Sequence, residues 1–396
     1  MELEQTTGLA RLKSSETRIM SPELIKATYI ATRPDRDPEM LAENIAREQS
    51  LELTRSLIPE PIADRLLGHI LSVREVDTQH WQLEIGYPAE LASDQVGQLL
   101  HLVYGNVSFY PRIRLVGMIL PHSLHSALPG PMAGIPGIRA WTDVEGRALL
   151  MTVLKPRGSD PADLAQLAER FARAGGDIVK DDQNLVENDL DDFRNRINLC
   201  AQAIDNASQV TGRQCLYLPH VAGSGSHLQH QLDHVARLGL GGVVMCPWVI
   251  GLETAATAAR EHGLMWLAHP AVAGVFTEGS TRGIATPVLL GTLVRLAGAD
   301  ISIFPGSGGR ITSQHVDDEG ATCAALTETL GTLRPSLPCT GGGKTLELAP
   351  ETARRHGPDC AVLIGGDLIG RGEALETAVQ KTVAGLASAG RPVSPD

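Results

Sequence analysis

From residue 148 onward the chain repeats one rhythm, a short apolar run and then a segment with helical spacing. The runs are ALLMTVLK (148–155), GDIVK (176–180), CLYLP (215–219), GGVVMC (241–246), LMWLAH (264–269), DISIFP (300–305), SLPCT (336–340) and CAVLIGG (360–366). Helical patterns such as PADLAQLAERFARAG (161–175), SHLQHQLDHVARLG (226–239), TPVLLGTLVRLAG (286–298) and EALETAVQKTVAGLA (373–387) lie between or after them. Eight such units in about 250 residues are the size of a (β/α)8 TIM barrel. An open doubly wound sheet has the same alternation, and strand number alone does not decide closure.

The first part of the chain lacks that rhythm. LIKATYIAT (24–32), HWQLEIGYP (80–88) and RIRLVGMIL (112–120) read as strands, and DPEMLAENIAREQS (37–50) and AELASDQVGQLLHLVYG (89–105) as helices. Interleaving without a long parallel series predicts a small α+β (ferredoxin-like) domain over 21–140 and the barrel over 141–396. A loose polar segment is expected at 1–20, and a Pro/Gly-rich linker at LPGPMAGIPG (128–137).

Composition narrows the partners. The 396 residues carry 34 Lys and Arg against 46 Asp and Glu, a net charge of −12, which argues against nucleic acid as a ligand. No run approaches the roughly 18 apolar residues of a membrane helix, and the N-terminus lacks the apolar core of a signal peptide. Six cysteines form no C-x-x-C pair, so neither a zinc site nor a disulfide framework is expected. A reduced cytoplasm is the expected compartment.

In a barrel the chemistry gathers where strands end. GGDIVKDDQNL (175–185) places Lys180, Asp181, Asp182 and Gln183 at the second strand end. Two carboxylates there suit Mg2+, which takes oxygen ligands; a solvated charge cluster has the same composition. A cationic lysine repels a metal, so a site built on Lys180 needs its amine converted to an anionic group such as a carbamate. Lys155 ends the first run before Pro156, as a solvated loop lysine or as a proton-transfer group. His220 and His269 end the third and fifth runs; His269 is either a structural histidine or a proton-transfer or metal-binding one. TGGGK (340–344) and IGG (364–366) put Gly342, Gly343, Gly365 and Gly366 after the last two strands. Barrel enzymes hold phosphate there on backbone N–H groups, although plain glycine turns are common. FPGSGGR (304–310) reads as a lid with Arg310 reaching an anion, or as a simple Gly-rich loop.

Together these residues resemble the large chain of ribulose-bisphosphate carboxylase and, more closely, the non-carboxylating RuBisCO-like proteins. The likeness covers most of the chain. It rests on KP (155–156), GGDIVKDD (175–182), HPA (269–271), GGG (341–343) and IGG (364–366), with AREQS (46–50) and VYGNV (103–107) in the first domain. The resemblance implies that Lys180 is carbamylated by CO2 and that Asp182 is a carboxylate ligand of Mg2+. Gln183 stands where the carboxylase has its second acidic ligand, as a neutral oxygen ligand or none. Lys155 becomes the proton-transfer lysine and His269 an active-site histidine. A homodimer with shared active sites is also implied, in which Glu48 and Asn106 reach into the partner's site.

The departures from the family bear on the reaction. Pro270 replaces an arginine that grips one of two substrate phosphates, ISIFPG (301–306) lacks a histidine near that phosphate, and Arg157 replaces a second lysine near the reacting carbons. The glycine clusters for the other phosphate remain. The expectation is a substrate with one phosphate, no CO2 fixation, and Mg2+-assisted enolisation of a keto-sugar or keto-acid. The favoured form is a decarboxylase, lyase or carboxylate transfer-hydrolysis in apiose-type sugar-acid breakdown, since KDDQN and HPA do not resemble the methionine-salvage enolase pattern. The other is an isomerase or enolase of a methylthio-pentulose phosphate in methionine salvage. Two readings compete with both: a metal-free barrel in which Lys180 works as a free amine, and a non-catalytic binding protein that keeps the fold.

Overall fold

The computed structural model describes residues 23–34, 37–311, 313, 315 and 318–390. The segment expected to be loose, 1–20, lies outside the described residues. In the first sheet, β1 (Leu24–Thr32) buries Ile25, Ala27, Tyr29 and Ala31 at every second position, as a strand with one core face does. Helix Pro38–Ser50 brings buried Ala42, Ile45 and Ala46 to the same core. β2 (His69–Asp77) and β3 (His80–Pro88) form a hairpin, and β4 (Ile113–Ile119) follows helix Val96–Tyr104. The order β4–β1–β3–β2, antiparallel throughout, is the expected ferredoxin-like arrangement. β2 escapes the sequence pattern because it buries no residue fully. The helix expected over 89–105 is broken: Ser93 (φ 51°) and Asp94 (φ 54°) are left-handed and separate a short turn, Ala89–Ala92, from helix Val96–Tyr104.

All eight later runs are strands. They are β5 (Leu149–Leu154), β6 (Ile178–Asp181), β7 (Leu216–Leu218), β8 (Gly242–Met245), β9 (Met265–Ala268) and, past the short β10 (Gly283–Ile284), β11 (Ile301–Pro305), β12 (Leu337–Gly341) and β13 (Ala361–Leu363). They run parallel in the order β7–β6–β5–β13–β12–β11–β9–β8. The two ends meet: Val221 N donates to Val244 O (3.1 Å) and Val244 N to Pro219 O (2.8 Å), bridging His220 to Val244. The sheet is therefore a barrel and not an open doubly wound layer.

Leu149, Met151, Ile178, Leu218 and Leu267 fill the barrel, and Ile135 and Ile138 of helix Gly134–Thr142 close its floor. Asp300 caps that helix by accepting from Ala133 N and Gly134 N (both 2.7 Å), and it also holds Trp266 N (2.9 Å). The expected linker at 128–137 is thus partly helix, and the helix runs across position 140. β10, from the loop after β9, adds in parallel to the edge of the first sheet beside β4. Tyr104 Oη accepts from Gly283 N (2.7 Å) and donates to Ile113 O (3.1 Å), and Arg114 donates to Thr277 O (3.0 Å) and Gly279 O (2.5 Å). A loop of the barrel mouth is in this way sewn to the first domain. Among the described residues no helix is long and apolar enough to cross a membrane, and all six cysteines are free thiols.

Candidate active site

Strand parity sorts the polar residues at the barrel mouth. Ile178 packs inside the barrel and Val179 outside it, so Lys180 and Asp182 point inward and Asp181 outward. The same two-residue step leads from Met151 to Lys155, from Leu218 to His220, from Leu267 to His269 and from Leu363 to Gly365. A cavity of about 830 Å3 opens there. Lys155, Arg157, Lys180, Asp182, Gln183 and His269 line it, and Arg310, Gly342, Gly343, Gly365 and Gly366 complete the wall.

Asp181, one of the two carboxylates expected at this strand end, is not among them. It is fully buried behind β6, where it pairs with Arg196 and accepts from Tyr217 Oη and His220 N (both 3.0 Å). Its role is to hold the barrel strands to helix Leu190–Thr211. His220 lies one layer below the mouth, with Nε2 3.9 Å from Cys246 Sγ, and it does not line the cavity.

Lys180 is buried, and its Nζ donates to the Asp181 carbonyl at 2.6 Å. Burial lowers its pKa, against the pull of the Asp182 and Asp181 charges. His269 is pushed well below the usual histidine range by burial first and by the Lys180 charge second. Its Nδ1 accepts from Ala271 N (3.2 Å), so the neutral ring carries its proton on Nε2. Asp182 Oδ1 accepts from the backbone N and the Nδ2 of Asn184 (both 2.9 Å), which fixes the carboxylate.

Among the described residues no three His, Cys, Asp or Glu side chains stand together as a metal site. Unmodified, the second strand end offers the mouth the Asp182 carboxylate, the Gln183 amide and the buried Lys180 amine. The burial that favours the neutral amine of Lys180 also favours its reaction with CO2, since only the free base adds. A carbamate there would complete an all-oxygen donor set with Asp182 and Gln183, which is what Mg2+ requires. The residues fit the metal on that condition.

The glycines after β12 also seat the neighbouring loop. Ile311 N donates to Gly342 O (2.6 Å), so the loop after β11 lies folded onto the end of β12. Gly342 (φ +98°) and Gly343 (φ +88°) need glycine twice over: both are left-handed, and a Cβ at 342 would strike Ile311 O while one at 343 would sit 2.8 Å from Arg310 Cβ. A Cβ on Gly365 would meet Lys155 Nζ at 3.1 Å, so the lysine ammonium stands over the other glycine cluster. Asp367 also lines the mouth but is turned to Leu346 N and Arg371 (both 2.9 Å).

A charged clasp grips the loop at Ser307, and sequence reasoning missed it. Ser307 N donates to Glu319 (2.9 Å), Lys344 Nζ donates to Ser307 O (3.0 Å), and Arg355 donates to Ser307 Oγ. His356 Nε2 lies 3.0 Å from the other Glu319 oxygen. Burial alone would raise the Glu319 carboxyl, but hydrogen bonds from His356 and Ser307 and the Lys344 charge outweigh it and hold the group at about 2. The sequence signal for Lys344 was its place directly after the three glycines; Glu319 and His356 gave none.

A second compartment of about 510 Å3 continues from the mouth past Gln183 and His269. Pro270, Leu290, Ile303 and Phe304 wall it, no Lys or Arg among the described residues lines it, and Glu278 supplies its carboxylate. Glu48 and Asn106 are joined to each other, Asn106 Nδ2 donating to Glu48 Oε1 (3.0 Å), but they line a separate cavity of about 160 Å3 and not the mouth of their own chain. Arg157 reaches outward to Val186 O (3.0 Å).

Comparison with known proteins agrees with this architecture. Residues 134–385 match the model of the ribulose bisphosphate carboxylase large chain, catalytic domain. The chain is 35% identical to ribulose bisphosphate carboxylase-like protein 1 of Rhodopseudomonas palustris, over 94% of this chain and 100% of the relative. It is 34% identical to the 5-methylthioribulose-1-phosphate isomerase of Rhodospirillum rubrum, over 94% and 99%. A crystal structure of a RuBisCO-like protein from Rhodopseudomonas palustris superposes with a TM-score of 0.84 at 32% identity, covering 94% of this chain and 100% of that one. A closed barrel with lysine and aspartate at its second strand end, behind a ferredoxin-like domain, thus belongs to the ribulose-bisphosphate carboxylase large-chain family, among its RuBisCO-like members.

Proposed function

We propose that this chain is an enolising isomerase or enolase for a ketose monophosphate whose far end is uncharged and apolar, of the methylthio-pentulose phosphate kind. The observation that carries this reading is the two-part cavity. Its phosphate end has glycine backbones, Lys155 and Arg310. Its other end is walled by Leu290, Ile303 and Phe304, with no lining cation among the described residues. A second phosphate there would lose its hydration with no positive partner. An oxo-acid that put its carboxylate in that compartment meets the same objection. The reading therefore moves from sugar-acid breakdown, which the sequence favours, to the isomerase or enolase alternative. The relative that carries an isomerase name supports it.

Lys180 as its carbamate, Asp182 and Gln183 would hold Mg2+, which when bound supplies the positive charge that stabilises an enediolate. Backbone N–H groups of the two glycine clusters bind the phosphate. Lys155, beside Gly365, carries the proton to or from the carbon next to the carbonyl. His269 donates its Nε2–H to a substrate oxygen. The loop seated on Gly342 excludes water. A homodimer completes the site with the partner's Glu48 and the partner's Asn106.

The test is proton NMR in D2O with CO2 and Mg2+ present. With 5-methylthioribulose 1-phosphate the C–H signal beside the carbonyl is expected to disappear and an isomer to form. Ribulose bisphosphate is expected to give no carboxylated product. Absence of exchange with every ketose monophosphate tried overturns the catalytic reading in favour of a binding protein.

A further inference from the structure

We infer that Glu278 is a specificity-determining residue that excludes a second anionic group from the substrate's far end. The inference rests on the two compartments forming one substrate site, and goes beyond the lack of cations to an active rejection. Glu278 lines the second compartment. Its Oε1 accepts from Thr277 Oγ1 (3.0 Å) and Ser313 Oγ (3.2 Å), so the carboxylate is fixed in place.

The loop that carries it is equally fixed. Arg114, from the first domain, donates to the carbonyls of Thr277 and Gly279 on either side of Glu278. Arg114 itself is buried, and its charge interacts with Asp318 at 3.9 Å and with Glu278. It lines neither compartment, so it is a brace for the loop and no anchor for a ligand.

A fixed carboxylate in a compartment that Phe304 and Ile303 also line offers acceptors only. It repels a phosphate or carboxylate and tolerates a thioether, an alkyl group or a hydroxyl that donates to it. Pro270 removes one means of holding an anion at this end, and Glu278 adds an opposing charge.

Isothermal titration with ribulose 5-phosphate and ribulose 1,5-bisphosphate tests the inference on the full-length protein. In Glu278→Gln, which keeps the shape and can still accept from Thr277 and Ser313, the ratio of bisphosphate to monophosphate affinity is expected to rise about tenfold or more. Glu278→Asp keeps the charge and is expected to keep the wild-type ratio. A ratio that moves less than twofold in Glu278→Gln, or bisphosphate binding to neither protein, overturns the assignment. Because the readout is binding, it stands apart from the exchange experiment: exchange without a shifted ratio removes only Glu278, and a shifted ratio without exchange removes only the catalysis.

Discussion

Lys180 and Asp181 are adjacent in the chain and face opposite sides of β6, the lysine into the mouth and the aspartate onto Arg196 and Tyr217. Of the two acidic neighbours of Lys180, only Asp182 is therefore available to a ligand. The two carboxylates should fail in different ways when neutralised. Asp181→Asn leaves Arg196 with Glu187 alone (2.6 Å), and breaking a buried pair costs about 3 kcal/mol or more. A clear fall in the thermal midpoint is expected. Asp182→Asn should leave the midpoint near that of the parent and abolish Mg2+-dependent turnover. Thermal unfolding and metal titration on both variants check this. Equal midpoints for the two would place Asp181 outside the fold's supports.

The loop after β11 packs on a surface that only glycine provides. Gly342→Ala puts a methyl group onto Ile311 O in a left-handed backbone position. The loop can then no longer seat, and the phosphate end stays open to water. KM for the phosphorylated substrate should rise roughly tenfold or more, since small misplacements at a closing lid have effects of that order. Limited proteolysis within 306–311 should speed up in parallel. An unchanged KM with normal loop protection would mean that the closed loop plays no part in turnover.

The clasp at Ser307 makes an acid-sensitive prediction with a defined sign. Glu319 has its carboxyl held at about 2 against an ordinary 4.5. A group lowered in the folded state stabilises above its unfolded pKa and loses that contribution as pH falls towards the folded one. The loss attributable to Glu319 should therefore develop between pH 4.5 and 2. Glu319→Gln should flatten this part of the stability profile and weaken the loop at neutral pH. Denaturant midpoints for both proteins across that range measure it; superimposable slopes would remove Glu319 as a stabilising carboxylate.

Much of the molecule was legible because its signals are local. The barrel strands are buried on both faces, so they read as short continuous apolar runs, and Lys155, Lys180 and His269 fall at their ends. Parity within GDIVKDD went unread: with Ile178 inside the barrel, Asp182 faces in and Asp181 out, so one of the two carboxylates expected at the mouth is absent from it. What stayed hidden is assembled from distant segments. Ser307, Glu319, Lys344 and His356 meet only because β11, β12 and two helices pack together. Glu278 stands in an ordinary polar turn of the sequence, and Thr277, Ser313 and the first domain's Arg114 together fix it in the second compartment. The helix at Gly134–Thr142 was hidden in a Pro/Gly-rich stretch because its cap, Asp300, lies 166 positions away from Gly134.

Gln183 is the position through which the mouth would set the strength of the proposed metal site. It lines both compartments beside Asp182. As an amide it can offer a neutral oxygen, so the proposed donor set carries one unit less negative charge than a set with glutamate there. Less ligand charge means weaker Mg2+ binding and a metal that withdraws more electron density from the substrate. Gln183→Glu should tighten Mg2+ binding in the presence of CO2 by about tenfold, or about 1.4 kcal/mol. It should also slow enolisation, because the more heavily neutralised metal stabilises an enediolate less well. Calorimetric Mg2+ titration and the rate of C–H exchange in D2O give the two readouts on the same preparations. Unchanged affinity with unchanged exchange would put Gln183 outside the ligand set. Tighter binding with slower exchange would identify the amide as the residue that trades metal affinity for electrophilicity.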